Sequence, residues 1–114
     1  MNKTYNGWCN YETWNCSLWL DNDNYFNSVC NKKALDLAND VVTKHESILI
    51  LSNFIKDIFH ENMPENEPSV YTDLLHSAIS NINFYEIAEH FIKSARNDLA
   101  IHLWQHLEIE RKNK

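Results

Sequence analysis

The sequence predicts an all-α protein, a compact single-domain bundle of five or six helices with an N-terminal aromatic turn. Three observations carry this expectation. Helix breakers are scarce and localised: in 114 residues the one glycine is Gly7 and the two prolines are Pro64 and Pro68, so the remaining stretches can be helical. Apolar residues recur at three- and four-residue spacing in several segments, and none alternates with period two as a half-buried strand does. A hydrophobic content of 44%, with four Trp, five Tyr and five Phe, supplies large apolar side chains enough to offset the entropy of ordering one domain of this length.

The elements follow in chain order. Asn6-Gly7 reads as a turn with the glycine at positive φ, folding Tyr5 and Trp8 back towards the first helix. Asn10 is placed to cap a helix from about Tyr11 to Leu20, with Glu12 in the first turn where the macrodipole favours a carboxylate. Tyr11, Trp14 and Leu18 share one side of it, Cys16, Trp19 and Leu20 lie around the other, and Thr13 and Ser17 fill the narrow strip between. A helix apolar nearly all round belongs in the middle of a fold, so Trp14 and Leu18 are expected in the core. The Asn-rich stretch from Asp21 to Asn31 reads as a loop carrying at best a short helix. From Lys32 an amphipathic helix shows Ala34, Leu37, Ala38, Val41 and Val42 on one face. Another, from about Glu46 to Glu61, gathers Ile48, Leu51, Phe54, Ile55, Ile58 and Phe59, with Leu49 and Ile50 pointing away.

The segment Met63 to Pro68 breaks the pattern before Ser69 caps a helix to about Ile82. Asn83-Phe84-Tyr85-Glu86 has the spacing of a capping box, with Ile82 placed to staple against Ile87, and it opens a helix through Ala88, Phe91, Ile92 and Ala95. The apolar stripe then drifts at Arg96-Asn97-Asp98 before Leu99, Leu103, Trp104 and Leu107 resume it. Residues 96–114 are therefore expected to kink or to form a separate C-terminal helix.

Composition narrows the function classes. The formal charge is −6, with 16 acidic against 10 basic residues, and the basic residues form no cluster beyond the short tail Arg111, Lys112, Lys114. Nucleic acid and anionic membrane are poor partners for such a surface. The longest apolar run, Ile48 to Leu51, falls far below the roughly 20 residues that span a bilayer. Polar sequence follows Met1-Asn2-Lys3-Thr4 where a signal peptide has its apolar core, so the protein is expected in the cytoplasm. Cys9, Cys16 and Cys30 match no zinc or redox spacing and read as reduced, small apolar residues.

No complete catalytic constellation is evident. A single glycine leaves no material for a phosphate loop or a nucleophile elbow. His102 and His106, with Glu108 nearby, have the i, i+4 spacing that can hold a metal, but no motif supplies a third ligand. Glu86, Glu89 and His90 form an acidic/His cluster, of which Glu86 and Glu89 are already explained as first-turn residues of a helix. Tyr5, Trp8, Tyr11, Trp14 and Trp19 lack the basic track that accompanies base stacking. No cofactor, metal or catalytic residue is assigned on these grounds.

Two stretches resemble a known family. Tyr5-Asn6-Gly7-Trp8-Cys9-Asn10-Tyr11-Glu12-Thr13-Trp14, continuing to Leu18-Trp19-Leu20-Asp21-Asn22-Asp23, is similar to the opening signature of a family of small proteins of unknown function encoded by phages, plasmids and bacteria. Asp73-Leu74-Leu75, Ala78-Ile79-Ser80 and Asn83-Phe84-Tyr85-Glu86-Ile87-Ala88-Glu89-His90 resemble that family's C-terminal block, so the resemblance spans about residues 5–92. The chain departs from it in its Cys-containing first helix, its shorter and less acidic middle and its added tail beyond Ala95. The resemblance implies a mobile-element setting and brings no activity, cofactor or catalytic residues.

The expected function is therefore that of a non-catalytic accessory protein of a phage or mobile element that binds a host protein, such as a component of an anti-phage defence system. The expected binding surface combines Leu49 and Ile50, rimmed by Asn53, Lys56 and Asp57, with the acidic residues Glu61, Glu65 and Glu67. Homodimerisation is a further expectation. Two alternatives stay open: an acidic mimic of nucleic acid, and a small metal-dependent enzyme built on His and Glu.

Overall fold

A computed structural model describes residues 5–64 and 67–112. Among these the chain forms five helices, α1 Tyr11–Asn22, α2 Asn24–Ala38, α3 Lys44–Glu61, α4 Val70–Ser80 and α5 Phe84–Lys112, and the all-α expectation holds. Asn10, Thr43 and Ser69 cap α1, α3 and α4, each side-chain oxygen accepting from the backbone N–H three residues on, which satisfies donors the helix itself leaves open.

The Asn-rich stretch after α1 corrects the expectation of a loop. Asp23 ends α1 and caps α2, its carboxylate accepting the Phe26 N–H at 3.0 Å. Phe26, Cys30, Ala34 and Leu37 then run along one face, the last three buried and Phe26 packed beside them. Asparagine has modest helix propensity, but packing of an apolar stripe outweighs it. The stripe begins six residues before Lys32 and consists partly of small side chains, so the large-residue periodicity does not reveal it.

The centre of the bundle is the N-terminal half of α5, packed on α2 and α3 with a smaller contact to α1. Phe84, Ile87, Ala88, Phe91, Ile92 and Ala95 are buried there with Ile48, Leu51 and Ile55 of α3 and Cys30, Ala34 and Leu37 of α2. This overturns the central placement of the first helix. α1 buries Thr13, Cys16, Ser17 and Leu20, the narrow side that carries its small residues, because small side chains let helix backbones approach closely. Trp14 is only half-buried, its ring 5.1 Å from Tyr5 and 5.8 Å from Tyr11. Leu18 is 42% exposed. Neither is a core residue.

Arg96-Asn97-Asp98 starts no new helix, and α5 continues unbroken to Lys112. The outer part projects from the body as an arm. The molecule accordingly measures 68 × 31 × 25 Å with a radius of gyration of 17.4 Å, against about 13 Å for a compact chain of this length.

Cys16 and Cys30 are buried free thiols. Burial pushes the Cys16 thiol up to about 12, with Cys30 adding to the rise, and burial pushes Cys30 up to about 11, both from an ordinary 9.0. Below pH 9 both folded and unfolded chains keep these protons, so the thiols leave stability unchanged. As pH rises from 9 towards 11 and 12 the unfolded chain releases protons that the folded chain retains, and stability falls. The urea midpoint should therefore decline between pH 9 and 11, and a Cys16→Ala, Cys30→Ala variant should decline less steeply. Equal slopes would show that the thiols do not contribute.

Candidate functional site

The N-terminal turn is the first piece of the site's scaffold. Asn6 and Gly7 stand at φ 46° and 88°, and Tyr5 and Trp8 exchange backbone hydrogen bonds of 3.0 and 2.7 Å. Two consecutive positive φ values give a type I′ turn, which Asn-Gly suits because asparagine tolerates the left-handed region and glycine has no Cβ to clash. A Cβ added at Gly7 would meet nothing within 4 Å, so Gly7→Ala should cost only the backbone strain, about 1–2 kcal/mol. Thermal melts should show that loss with helix content unchanged in circular dichroism, and an unaffected melt would contradict it.

This turn and the start of α1 are bound to the start of α5. Asn10 accepts from the Thr13 N–H through Oδ1 at 2.9 Å and donates through Nδ2 to the Asn81 carbonyl at 2.7 Å. The buried Thr13 Oγ1 accepts the Asn83 N–H at 2.9 Å. Asn83 Oδ1 accepts the Glu86 N–H at 3.1 Å, the first arm of the expected capping box. The reciprocal arm is replaced: the Glu86 carboxylate accepts the Cys9 N–H at 3.2 Å, since Thr13 already takes the Asn83 donor. Residues of both sequence blocks thus hold the start of α1 to the start of α5. His90 is exposed, its ring 5.5 Å from that of Trp8, and Glu86 is 8% exposed, so the Glu86, Glu89, His90 cluster has its buried carboxylate committed to a structural contact.

Between α1, α3 and α4 lies an apolar cleft of about 620 Å³. Tyr11, Cys16 and Trp19 of α1 form one wall, Ile58 and Phe59 near the end of α3 form the floor with Phe26 of α2, and Leu75, Ala78 and Ile79 of α4 form the other wall. Glu12 and Asp23 are the charged residues among those lining it. The cleft exists because α4 is under-packed. Val70, Tyr71, Leu74, Leu75, Ala78 and Ile79 fall within about half of the helical circumference at 100° per residue, yet none of the residues of α4 is buried. Trp19 stands 67% exposed across the gap.

The expected surface residues lie elsewhere. Leu49 and Ile50, 43% and 41% exposed, are not among the residues lining the cleft, and no other helix covers them fully. Glu61 and Glu67 are exposed and bracket Met63 and Pro64, which line the cleft's edge; Glu65 lies outside the described residues. His102 and His106 are exposed on the α5 arm, and His106 Nε2 lies 3.2 Å from Glu110 Oε1. Among the described residues no group of three or more His, Cys, Asp or Glu side chains is placed to hold a metal ion, and no helix is long and apolar enough to cross a membrane. Periodicity alone marks α4 as amphipathic; that its apolar face stays open depends on the gap between helices.

No curated protein and no solved structure matches the chain. A family model does, that of a family of unknown function (DUF7249), over residues 1–98.

Proposed function

From the premise that this chain belongs to DUF7249, a family of unknown function, we propose that it is a non-catalytic binding protein whose cleft between α1, α3 and α4 receives an apolar helical segment of a host protein. The observation that carries this reading is the open apolar face of α4 opposite Trp19. Soluble proteins seldom leave contiguous apolar surface uncovered unless something binds it, and an amphipathic helix in an apolar groove is a recurrent recognition mode. Glu12 and Asp23 in the lining, and exposed Glu61 next in sequence to the lining residue Asn62, favour a segment flanked by basic residues, with salt-sensitive association.

The setting proposed is a phage or other mobile element, on the resemblance of residues 5–92 to proteins such elements encode. There, stoichiometric capture of a host defence component is a task that needs a surface and no chemistry. The experiment is affinity capture from the natural host, then calorimetric titration of the captured partner. Saturation near one equivalent, competed by a basic amphipathic peptide taken from that partner, supports the reading. An effect at far less than one equivalent would point to an enzyme, and competition by nucleic acid to a mimic; either would overturn it.

A further inference from the structure

From residue 100 to 107 every residue of the α5 arm is exposed, and Leu103, Trp104 and Leu107 are between 56% and 64% exposed. Leu99, Ala100, Leu103, Trp104 and Leu107 form one stripe about 140° wide at 100° per residue. Its centre is rotated by about 120° from the face that Ile87, Ala88, Phe91, Ile92 and Ala95 bury in the body. The drift at Arg96-Asn97-Asp98 is therefore a change of facing on one helix. The stripe turns away from the seam that α2 and α3 fill. Such a helix end, apolar and alone in water, has little to hold it helical.

We propose that the stripe is a self-association surface, on which the arms of two copies pair antiparallel about a two-fold axis near Leu103. Leu99, Leu103 and Leu107 are spaced by four and symmetric about Leu103, so inversion sets Leu99 of one copy against Leu107 of the other and Leu103 against itself. A two-fold contact requires this kind of self-complementary patch, and a row of residues spaced by four is a ridge that packs into its own copy. The charges agree with the register. Arg96 and Glu110 are exposed and lie on the stripe's side of the helix, and the antiparallel register brings Arg96 of each copy to Glu110 of the other. A parallel pair would set arginine against arginine and glutamate against glutamate. The family match ends at residue 98, so the stripe belongs to a segment beyond it, distinct from the cleft on the body.

Sedimentation velocity and light scattering of the full chain across the micromolar range test this. The expected result is a concentration-dependent dimer of twice the 13.5 kDa chain mass. Leu103→Glu with Leu107→Glu should give a monomer whose urea midpoint equals that of the wild type at concentrations where the wild type is monomeric, because neither side chain belongs to the buried core. Arg96→Glu and Glu110→Arg should each weaken association by roughly tenfold, and combining both in one chain should restore it. A wild-type monomer at all concentrations, or a dimer that survives the leucine substitutions, overturns the proposal. Loss with the leucines but no rescue by the paired charge reversal overturns the antiparallel register.

Discussion

Replacing Leu51 or Ile55 with alanine is expected to lower the unfolding free energy by about 3–5 kcal/mol, the range for deleting a large aliphatic side chain from a rigid core. Both are 0% exposed, and both sit on α3 in the cluster that includes Ile87 and Ile92 of α5. That packing cannot close over the void without moving two long helices. Trp14→Ala should cost less, about 1–2 kcal/mol, although tryptophan is the larger residue. Its ring leans on Tyr5 and Tyr11 at the edge, and water can fill the space it leaves. Urea denaturation followed by circular dichroism gives both values. For a domain whose total stability is about 5–15 kcal/mol, the core variants should approach the point at which a folded population is lost. A Trp14→Ala loss larger than that of Leu51→Ala would place α1, rather than α3 and α5, at the centre.

The contrast between these residues shows what could be read without a structure. α3 and the first half of α5 are legible because their buried positions are large, aliphatic and spaced by three and four, as in Ile48, Leu51 and Ile55. α1 misleads because most of its large side chains are not the ones it buries. Its bulky residues line an open cleft and a surface ring cluster, while Thr13 and Ser17 are buried with hydroxyl groups that a hydropathy pattern scores as polar. Thr13 can lie there because its hydroxyl accepts from Asn83, seventy residues away, and no local pattern announces a partner that distant. The same limit applies to Glu86, whose N3 position was evident and whose contact with Cys9 was not. Asp23 illustrates a different loss: one residue serves as the end of one helix and the cap of the next, so the break that would announce two helices is compressed into a single position. For the candidate site, α4 was legible as an amphipathic helix. Its open apolar face was not, since that depends on how far α1 and α3 stand from it.

A charged residue placed in the cleft is expected to weaken partner binding far more than it weakens the fold. Ile79→Asp introduces a carboxylate on the wall of α4, and Trp19→Ala removes the ring that faces it. Each should weaken binding of the captured host segment by about 100-fold or more, the scale of an interface hot spot of roughly 2–3 kcal/mol. Trp19 is mostly exposed, so its truncation should leave the urea midpoint nearly unchanged. Ile79 is partly buried against the core cluster, so Ile79→Asp should lower the midpoint while the protein stays folded in the binding buffer, which circular dichroism and the urea midpoint check. Glu12→Lys should act differently, slowing association with a dependence on ionic strength and changing dissociation little, since a rim charge acts mainly on encounter. Leu49→Asp with Ile50→Asp is the decisive comparison. These residues form the other exposed apolar patch that the sequence singles out, and neither lines the cleft. If binding survives their replacement and is lost with Ile79→Asp, the occupied surface is the cleft. If binding is lost only when Leu49 and Ile50 are replaced, the partner sits on the outer side of α3, and the open face of α4 must have some other cover.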